Sequence, residues 1–314
     1  MNRILLTCPP MLKQVALFHD RFTELGWDVI VPEFTQVMAE ERLMATLPDY
    51  DGWIIGDDPA TRAVFEAGRK GRLRAAVKWG IGVDNVDFAA CKDLGIPIVN
   101  TPGMFGGEVA DVGMSYVLAL AREIFQIDRG VRAGGWPKPA GMSLAGKTLG
   151  LIGLGDIGCS LARRALACDM NVVAWDPGFA APPEGLGVEM ARWPERIGEA
   201  DFLAFTCALN ASNFHMLDAG TLNLAKDGVR VVNVARGPLI DEAALIDALS
   251  TGKVRSAALD VFEIEPLPAD SPLRAFDQCI FGSHNGSNTI DAVVRASHQA
   301  IDRLAGFLAD TTPS

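Results

Sequence analysis

The sequence predicts an α/β protein of two doubly wound, parallel-sheet domains, and three observations carry that expectation. Short apolar strands alternate with helices over the first hundred residues. The alternation stops after a long helix and starts again at Lys147. The 314 residues suit about two domains at roughly 150 residues each. Strands of this kind, separated by helices, form a parallel sheet covered on both faces.

In the first part, strands are expected at 3–7, 28–31, 52–55, 75–79 and 96–99. Helices are expected at 11–25, stopped by Gly26, then at 35–47, 59–67, stopped by Gly68, and 86–94. A longer helix over 106–125 follows, because Val109, Val112, Gly113, Tyr116, Val117, Leu120 and Ile124 share one face. Residues 129–141 are rich in Gly and Pro and read as a loop. In the second part, strands are expected at 148–152, 171–175, 201–206, 230–234, 256–260 and 279–283, with a helix at 157–168. A final helix over 289–308 carries Ile290, Val293, Val294, Ile301, Leu304 and Leu308 on one face. These elements divide the chain into residues 1–100 with 288–314, and an inserted domain at 101–287.

Composition narrows the function. Apolar residues make up 49% of the chain, enough for two cores, and charged residues 21%. The net charge of -11 excludes nucleic acid or an anionic membrane as the main partner, since both need a basic face. An anionic substrate stays open, because a local cluster of Arg and Lys can invert the field within a cleft. The six cysteines form no Cys-x-x-Cys pair, and no His stands at metal-ligand spacing. They read as reduced thiols, with no metal site. The apolar run after Met1 is too short for a signal peptide, and no run approaches a membrane span. The expected location is the cytoplasm.

The cofactor signal is Gly153-Leu154-Gly155-Asp156-Ile157-Gly158. Alone this Gly-x-Gly-x-x-Gly is weak in a chain with 32 glycines. A strand precedes it, a helix follows, and the next strand ends at Asp176, 18 residues beyond Gly158. A dinucleotide needs that arrangement. Gly153 permits the tight turn, Gly155 lets backbone approach the pyrophosphate, and Gly158 lets helix and strand pack closely. The helix start offers N–H groups to phosphate. Asp176 suits ribose hydroxyls and repels a 2′-phosphate by about 1–4 kcal/mol. With no Arg following it, NAD is favoured over NADP. Asp156, an acid beside the pyrophosphate, should weaken binding unless its side chain points away.

Three polar residues stand just after strands of the second part: Arg236, Glu265 and His284. Open α/β sheets bind ligands at the carboxyl ends of their strands. Each residue singly has an ordinary structural reading. Their shared edge points to chemistry.

At these residues the sequence resembles the D-isomer-specific 2-hydroxyacid dehydrogenase family, and within it the phosphoglycerate dehydrogenase group. The resemblance covers nearly the whole chain. It rests on Lys78-Trp79-Gly80-Ile81-Gly82-Val83-Asp84-Asn85-Val86-Asp87, Asn100-Thr101-Pro102-Gly103, Asn233-Val234-Ala235-Arg236-Gly237, and Leu259-Asp260-Val261-Phe262 with Glu265-Pro266. It implies a flavodoxin-like substrate domain, an inserted NAD(P)-binding Rossmann domain, and a homodimer to which Trp136 contributes. It implies hydride transfer between NAD and a small D-2-hydroxy or 2-oxo acid of the glyoxylate, hydroxypyruvate or 3-phosphoglycerate kind. Arg236 would pair with substrate carboxylate and keto oxygen, His284 would be the acid–base, and Glu265 would orient it. Lys78, Gly80, Ile81 and Gly82 would form the substrate loop. Ile81, Asp156, Ile157, Cys207, Ala235 and Asp260 would touch the cofactor, with Asp260 on the nicotinamide carboxamide.

The chain departs from the family pattern in places. Ser283 replaces a Pro before His284, Asn285 replaces an aliphatic residue after it, and Asp111 stands where Glu is usual. The acidic Gly56-Asp57-Asp58 loop argues against a phosphorylated substrate. The alternative function is an NAD-sensing scaffold of the corepressor type. The remaining histidines read as structural: His19 and His298 on helices, and His215 in a helical segment.

Overall fold

The computed structural model describes residues 1–34 and 37–310. The chain forms two compact units, Met1–Phe105 with Asn288–Ser314 (unit 1) and Gly106–Ser287 (unit 2). The segment after Asn100 groups with unit 1 for identifiable reasons. Gly80 N–H donates to Thr101 Oγ1 at 2.8 Å, and Phe105 packs on Trp79 with ring centroids 5.0 Å apart.

Unit 1 contains β1 (Asn2–Leu6), α1 (Pro9–Lys13), α2 (His19–Glu24), β2 (Trp27–Ile30), α3 (Glu40–Thr46), β3 (Gly52–Ile55), α4 (Arg62–Lys70), β4 (Ala75–Lys78), α5 (Phe88–Leu94) and β5 (Ile98–Asn100). The strands pair in parallel in the order β2-β1-β3-β4-β5. β3 and β4 are buried at every position, as central strands of a parallel sheet are. Phe65, Trp53, Leu43 and Leu47 fill one core around them. The terminal helix Ile290–Asp310 belongs to this unit. Thr289 Oγ1 caps it by accepting from Ala292 N–H at 3.1 Å, and Ser297 Oγ accepts from the Trp79 indole at 3.1 Å. Ile290, expected on its apolar face, is 66% exposed; the buried stripe runs instead through Val293, Ala296, Ala300, Ile301, Leu304 and Leu308.

Local punctuation misled the sequence reading twice here. The single helix expected over 11–25 is broken into α1, a 3-10 turn at Val15–Phe18, and α2. Gly68 does not end α4, which continues to Lys70. A Cβ on Gly68 would lie 2.7 Å from Leu73 and 3.0 Å from Leu47, so this glycine serves packing rather than termination. α3 starts at Glu40; the expected start at residue 35 falls outside the described residues.

Unit 2 contains α6 (Gly106–Arg122), α7 (Ile124–Arg132), β6 (Thr148–Ile152), α8 (Asp156–Ala167), β7 (Asn171–Trp175), β8 (Glu189–Met190), β9 (Phe202–Phe205), α9 (Ala219–Leu224), β10 (Val229–Asn233), α10 (Glu242–Thr251), β11 (Val254–Leu259) and β12 (Ile280–Phe281). Its seven strands are parallel, ordered β12-β11-β10-β9-β6-β7-β8. Leu203, Phe205, Val231, Leu245, Ala257 and Leu259 lie in its main core.

The long helix expected over 106–125 stops at Arg122, because Glu123 adopts a left-handed conformation with φ 53°. α7 then occupies the start of the expected 129–141 loop. Glu123 is tied to Arg255 across the fold at 3.3 Å, a contact that local periodicity does not encode. Three elements were not anticipated: β8, α9 and α10. α10 has clear punctuation nonetheless, with Asp241 accepting from Ala244 N–H at its start and Gly252 left-handed at its end. His215 is not helical; it sits in a turn with φ 51° and donates its N–H to Pro238 O at 2.8 Å.

Candidate active site

In unit 2, the residues singled out in the sequence gather at the carboxyl ends of β6, β7, β9, β10, β11 and β12. The turn after β6 has the features a dinucleotide requires. Gly153 has φ +99°, and a Cβ there would lie 2.7 Å from Cys207 N. A Cβ on Gly158 would run into the Gly153 carbonyl. Above Gly155 there is open space. Among the described residues, the N–H groups of Gly155, Asp156 and Ile157 make no hydrogen bond. They form the start of α8, where helix geometry leaves donors for an anion.

Asp176, just past β7, braces this turn. Its Oδ2 accepts from Leu154 N–H at 2.7 Å and its Oδ1 from Gly178 N–H at 2.8 Å. A carboxylate has about four acceptor positions, so capacity remains for ribose hydroxyls. Asp156 turns its carboxylate toward the start of α6, where a Cβ on Gly106 would collide with it. Its charge is therefore directed at a glycine backbone. Cys207 is half-buried at the end of β9, and burial pushes its thiol up to about 11. Ala235 is buried, its N–H held by Asn233 Oδ1 at 3.0 Å. Asn233 Nδ2 donates to Arg236 O at 2.8 Å, so this asparagine fixes the backbone on both sides of Ala235. Arg236 Nη1 donates to Ala235 O at 2.8 Å.

His284 and Glu265 are in contact, with Nδ1 to Oε2 at 2.7 Å and side chains 25% and 26% exposed. The other Glu265 oxygen accepts from Phe262 N–H at 3.0 Å. A histidine whose Nδ1–H is given to a carboxylate leaves Nε2 for proton exchange. His284 has φ 55°, a conformation that costs a non-glycine residue about 1–2 kcal/mol. Asp260 stabilises it. The Asp260 carbonyl accepts from His284 N–H at 2.7 Å, and its carboxylate accepts from Asn285 N–H at 3.2 Å and Gly286 N–H at 2.9 Å. Asp260 thus holds the backbone of residues 284–286; nothing in these contacts explains Ser283 or Asn285. Tyr116 of α6 bonds the same carboxylate; burial and that negative charge push its phenol well above the usual range.

A second brace was missed in the sequence. Glu263 N–H donates to Glu242 Oε1 at 2.7 Å, and Glu242 N–H donates to Glu263 Oε1 at 2.9 Å. This reciprocal pair clamps the start of α10 to the loop that carries Glu265. Burial, helped by Glu263 and Glu265, raises the Glu242 carboxyl. His215 Nε2 lies 3.0 Å from Glu263 Oε1, and His215, Asp241 and Glu263 bring ligand-type atoms within 4.8 Å of one another. The two acids already accept N–H groups of Ala244 and Glu242.

The remaining predicted residues belong to unit 1, after β4. Lys78 is 2% exposed. Its Nζ donates to Gly56 O at 2.7 Å and Trp79 O at 3.0 Å, and pairs with Asp57 Oδ1 at 3.0 Å. An ammonium has three donors, and all three are used. Asn100 Nδ2 donates to Ile81 O at 3.0 Å, and Asn85 Nδ2 to Asp58 O at 2.7 Å. Among the described residues, the N–H groups of Ile81 and Gly82 make no hydrogen bond. Asp58 is fully buried, accepting from Met38 N–H at 2.8 Å and Gly56 N–H at 3.2 Å.

A family model described as "D-isomer specific 2-hydroxyacid dehydrogenase, NAD binding domain" matches residues 114–286. The chain belongs to the D-isomer specific 2-hydroxyacid dehydrogenase family. It is an oxidoreductase, and unit 2 holds its NAD-binding domain. The chain is 37% identical over 273 residues to a hydroxypyruvate reductase of Thermotoga maritima, covering 85% of this chain and 88% of that protein. It is 39% identical over 250 residues to a chloroplastic D-3-phosphoglycerate dehydrogenase of Arabidopsis thaliana, covering 79% of this chain and 42% of that one. The chain spans about half the length of the phosphoglycerate dehydrogenases it matches. A crystal structure of a Thermus thermophilus protein superposes with TM-score 0.87 at 30% identity, covering 99% of this chain and 98% of that one. The dehydrogenase and reductase relatives favour the enzyme over the scaffold alternative. Among the described residues, no helix is long and apolar enough to cross a membrane.

Proposed function

We propose that the chain interconverts a small, unphosphorylated 2-oxo acid and its D-2-hydroxy acid, using NAD, with unit 1 as substrate domain. The His284–Glu265 pair, held on the NAD-binding unit beside the Arg236 strand end, carries this reading. When bound, the nicotinamide supplies or accepts the hydride. The protein handles the proton and the charge. Arg236 has a planar guanidinium suited to a two-point contact with the carboxylate and keto oxygen. His284 Nε2 gives a proton to the keto oxygen in reduction and recovers it in oxidation. Glu265 fixes the tautomer and the orientation of the ring. The unbonded N–H groups of Ile81 and Gly82 receive the substrate carboxylate, while Gly80 and Lys78 shape that loop. Lys78 acts by holding carbonyls, since its donors are consumed.

The fit of NAD rests on the open space over Gly155 and the unbonded N–H groups at the start of α8, with Asp176 selecting against a 2′-phosphate. Gly153 and Gly158 set the turn, Asp156, Ile157, Cys207 and Ala235 line it, and Asp260 faces the nicotinamide side. An unphosphorylated substrate is supported by Asp57 at the end of β3 and by a lysine with no donor left. A homodimer is supported by apolar residues exposed on unit 2, namely Leu118, Ile124, Phe125, Val131 and Trp136 at 77%. Six free cysteines suit the reducing cytoplasm.

The test follows NADH absorbance with glyoxylate, hydroxypyruvate, pyruvate and 3-phosphohydroxypyruvate, with His284→Ala as control. Turnover on an unphosphorylated acid that His284→Ala abolishes is expected. Bound NADH with no turnover on any acid would overturn the reading, and preference for the phosphorylated acid would overturn its substrate class.

A further inference from the structure

At the opposite edge of the unit 2 sheet, where β10, β11 and β12 begin, a small cleft opens between the strands and α7. Arg129, Arg230 and Arg255 line it, together with Glu123, Ser256 and Asp277. Two of the three guanidiniums are committed. Arg255 pairs with Glu123 at 3.3 Å, and Arg129 donates to the Asp277 carbonyl. Arg230 is not. Its guanidinium sits over the Phe202 ring, 5.6 Å from the centroid, and among the described residues its side chain makes no hydrogen bond or ion pair. Its Nε is buried without a partner. Ser256, 5% exposed, also has a buried Oγ without a partner.

A half-buried guanidinium with no hydrogen-bonded partner is costly even with Glu123 and Asp201 nearby, and buried polar groups are normally satisfied. Here an arginine with five donors and a buried hydroxyl meet at one cleft. Burial lowers the Arg230 pKa and the neighbouring Arg255 acts in the same direction, outweighing Glu123 and Asp201, which act against them. An anion would offset both effects. A guanidinium fork matches the oxygens of phosphate or carboxylate.

We propose that this cleft is a binding site for a small oxyanion, held by Arg230 and Ser256 with Arg255 and Arg129 beside it. The site is separate from the chemistry, since Arg236 and His284 stand at the other ends of the same strands. The ligand class is a free phosphate or a short carboxylic acid.

The experiment uses the full chain saturated with NADH, so that the glycine turn is filled. Inorganic phosphate is titrated and followed by phosphorus-31 NMR, with succinate as the carboxylate arm. Wild type, Arg230→Gln and Ser256→Ala are compared, and NADH affinity is measured in each. The expected result is millimolar binding of one or both ions, weakened at least tenfold by Arg230→Gln and about two- to fivefold by Ser256→Ala, with NADH affinity unchanged. Phosphate preference would identify a phosphate site and succinate preference a carboxylate site. Absence of binding by both ions, or affinity indifferent to Arg230 and Ser256, would overturn the proposal. If Arg230→Gln does not fold, Ser256→Ala alone decides, since it changes one buried hydroxyl.

Discussion

The strand ends of the two units lean toward opposite chemistry, with Asp58 in unit 1 and Asn233 in unit 2 as the exceptions. In unit 1, side-chain donors take up backbone carbonyls: Lys78 holds Gly56 and Trp79, Asn85 holds Asp58, and Asn100 holds Ile81. In unit 2, carboxylates take up backbone N–H groups: Asp176 holds Leu154 and Gly178, Asp260 holds Asn285 and Gly286, and Glu265 holds Phe262. Occupying carbonyls leaves N–H groups available, which suits a carboxylate substrate. Occupying N–H groups with acids leaves acceptor positions, which suits hydroxyls and an imidazole. The polarity of each loop set matches the partner it is proposed to meet.

The comparison breaks most visibly at His284. Replacing it with Ala should lower kcat/KM for the 2-oxo acid by about 10²–10⁴, with NADH binding by fluorescence unchanged; a loss under tenfold would remove its proton-transfer role. Lys78→Met tests the unit 1 half. It strands the Trp79 carbonyl, leaves Gly56 O to Asn85 alone and removes the ion pair with Asp57, at a cost of about 1–3 kcal/mol, read as a lower denaturation midpoint. KM for the acid should rise while the NADH dissociation constant holds. A change in NADH affinity instead would contradict the assignment of this loop to substrate.

Asp176→Ser should shift the NADPH-to-NADH preference toward NADPH by about 10–100-fold, the effect of removing roughly 1–3 kcal/mol of repulsion. Cys207 offers a pH test. With its thiol pushed up to about 11, against about 8.5 for a free cysteine, its thiolate fraction at pH 7.5 is about three-hundredfold lower. Alkylation, followed by peptide mass mapping, should be correspondingly slow and should accelerate as pH rises toward 11. The smallest effect belongs to Glu242→Gln, which keeps an acceptor for Glu263 N–H and removes a charge near Glu265. The pH profile of kcat/KM should move by less than one unit, and kcat by less than threefold. Glu242→Ala, which breaks the clamp, should lower kcat further.

The parallel strands were legible because buried apolar runs such as Val231-Val232 and Leu149 to Ile152 have few alternatives. The glycine turn and the strand-end Arg236 and His284 were legible because strand-end position is itself a sequence property. What stayed hidden depends on contacts remote in sequence. Glu123 ends α6 through Arg255, Gly68 is kept for Leu47 and Leu73, and Lys78 is spent on Gly56. Glu242 and Glu263 stand 21 residues apart, and nothing local announces their clamp. The left-handed His284 is likewise set by Asp260, not by its neighbours in the chain.

Gly106 and Asp156 share one space, so their identities are not independent. Across a set of aligned relatives, the two columns should vary together: a side chain at position 106 should accompany a smaller residue at 156, and a carboxylate at 156 should accompany glycine at 106. A side chain placed at position 106 alone should be costly in this chain, and the cost should fall when a smaller residue stands at 156.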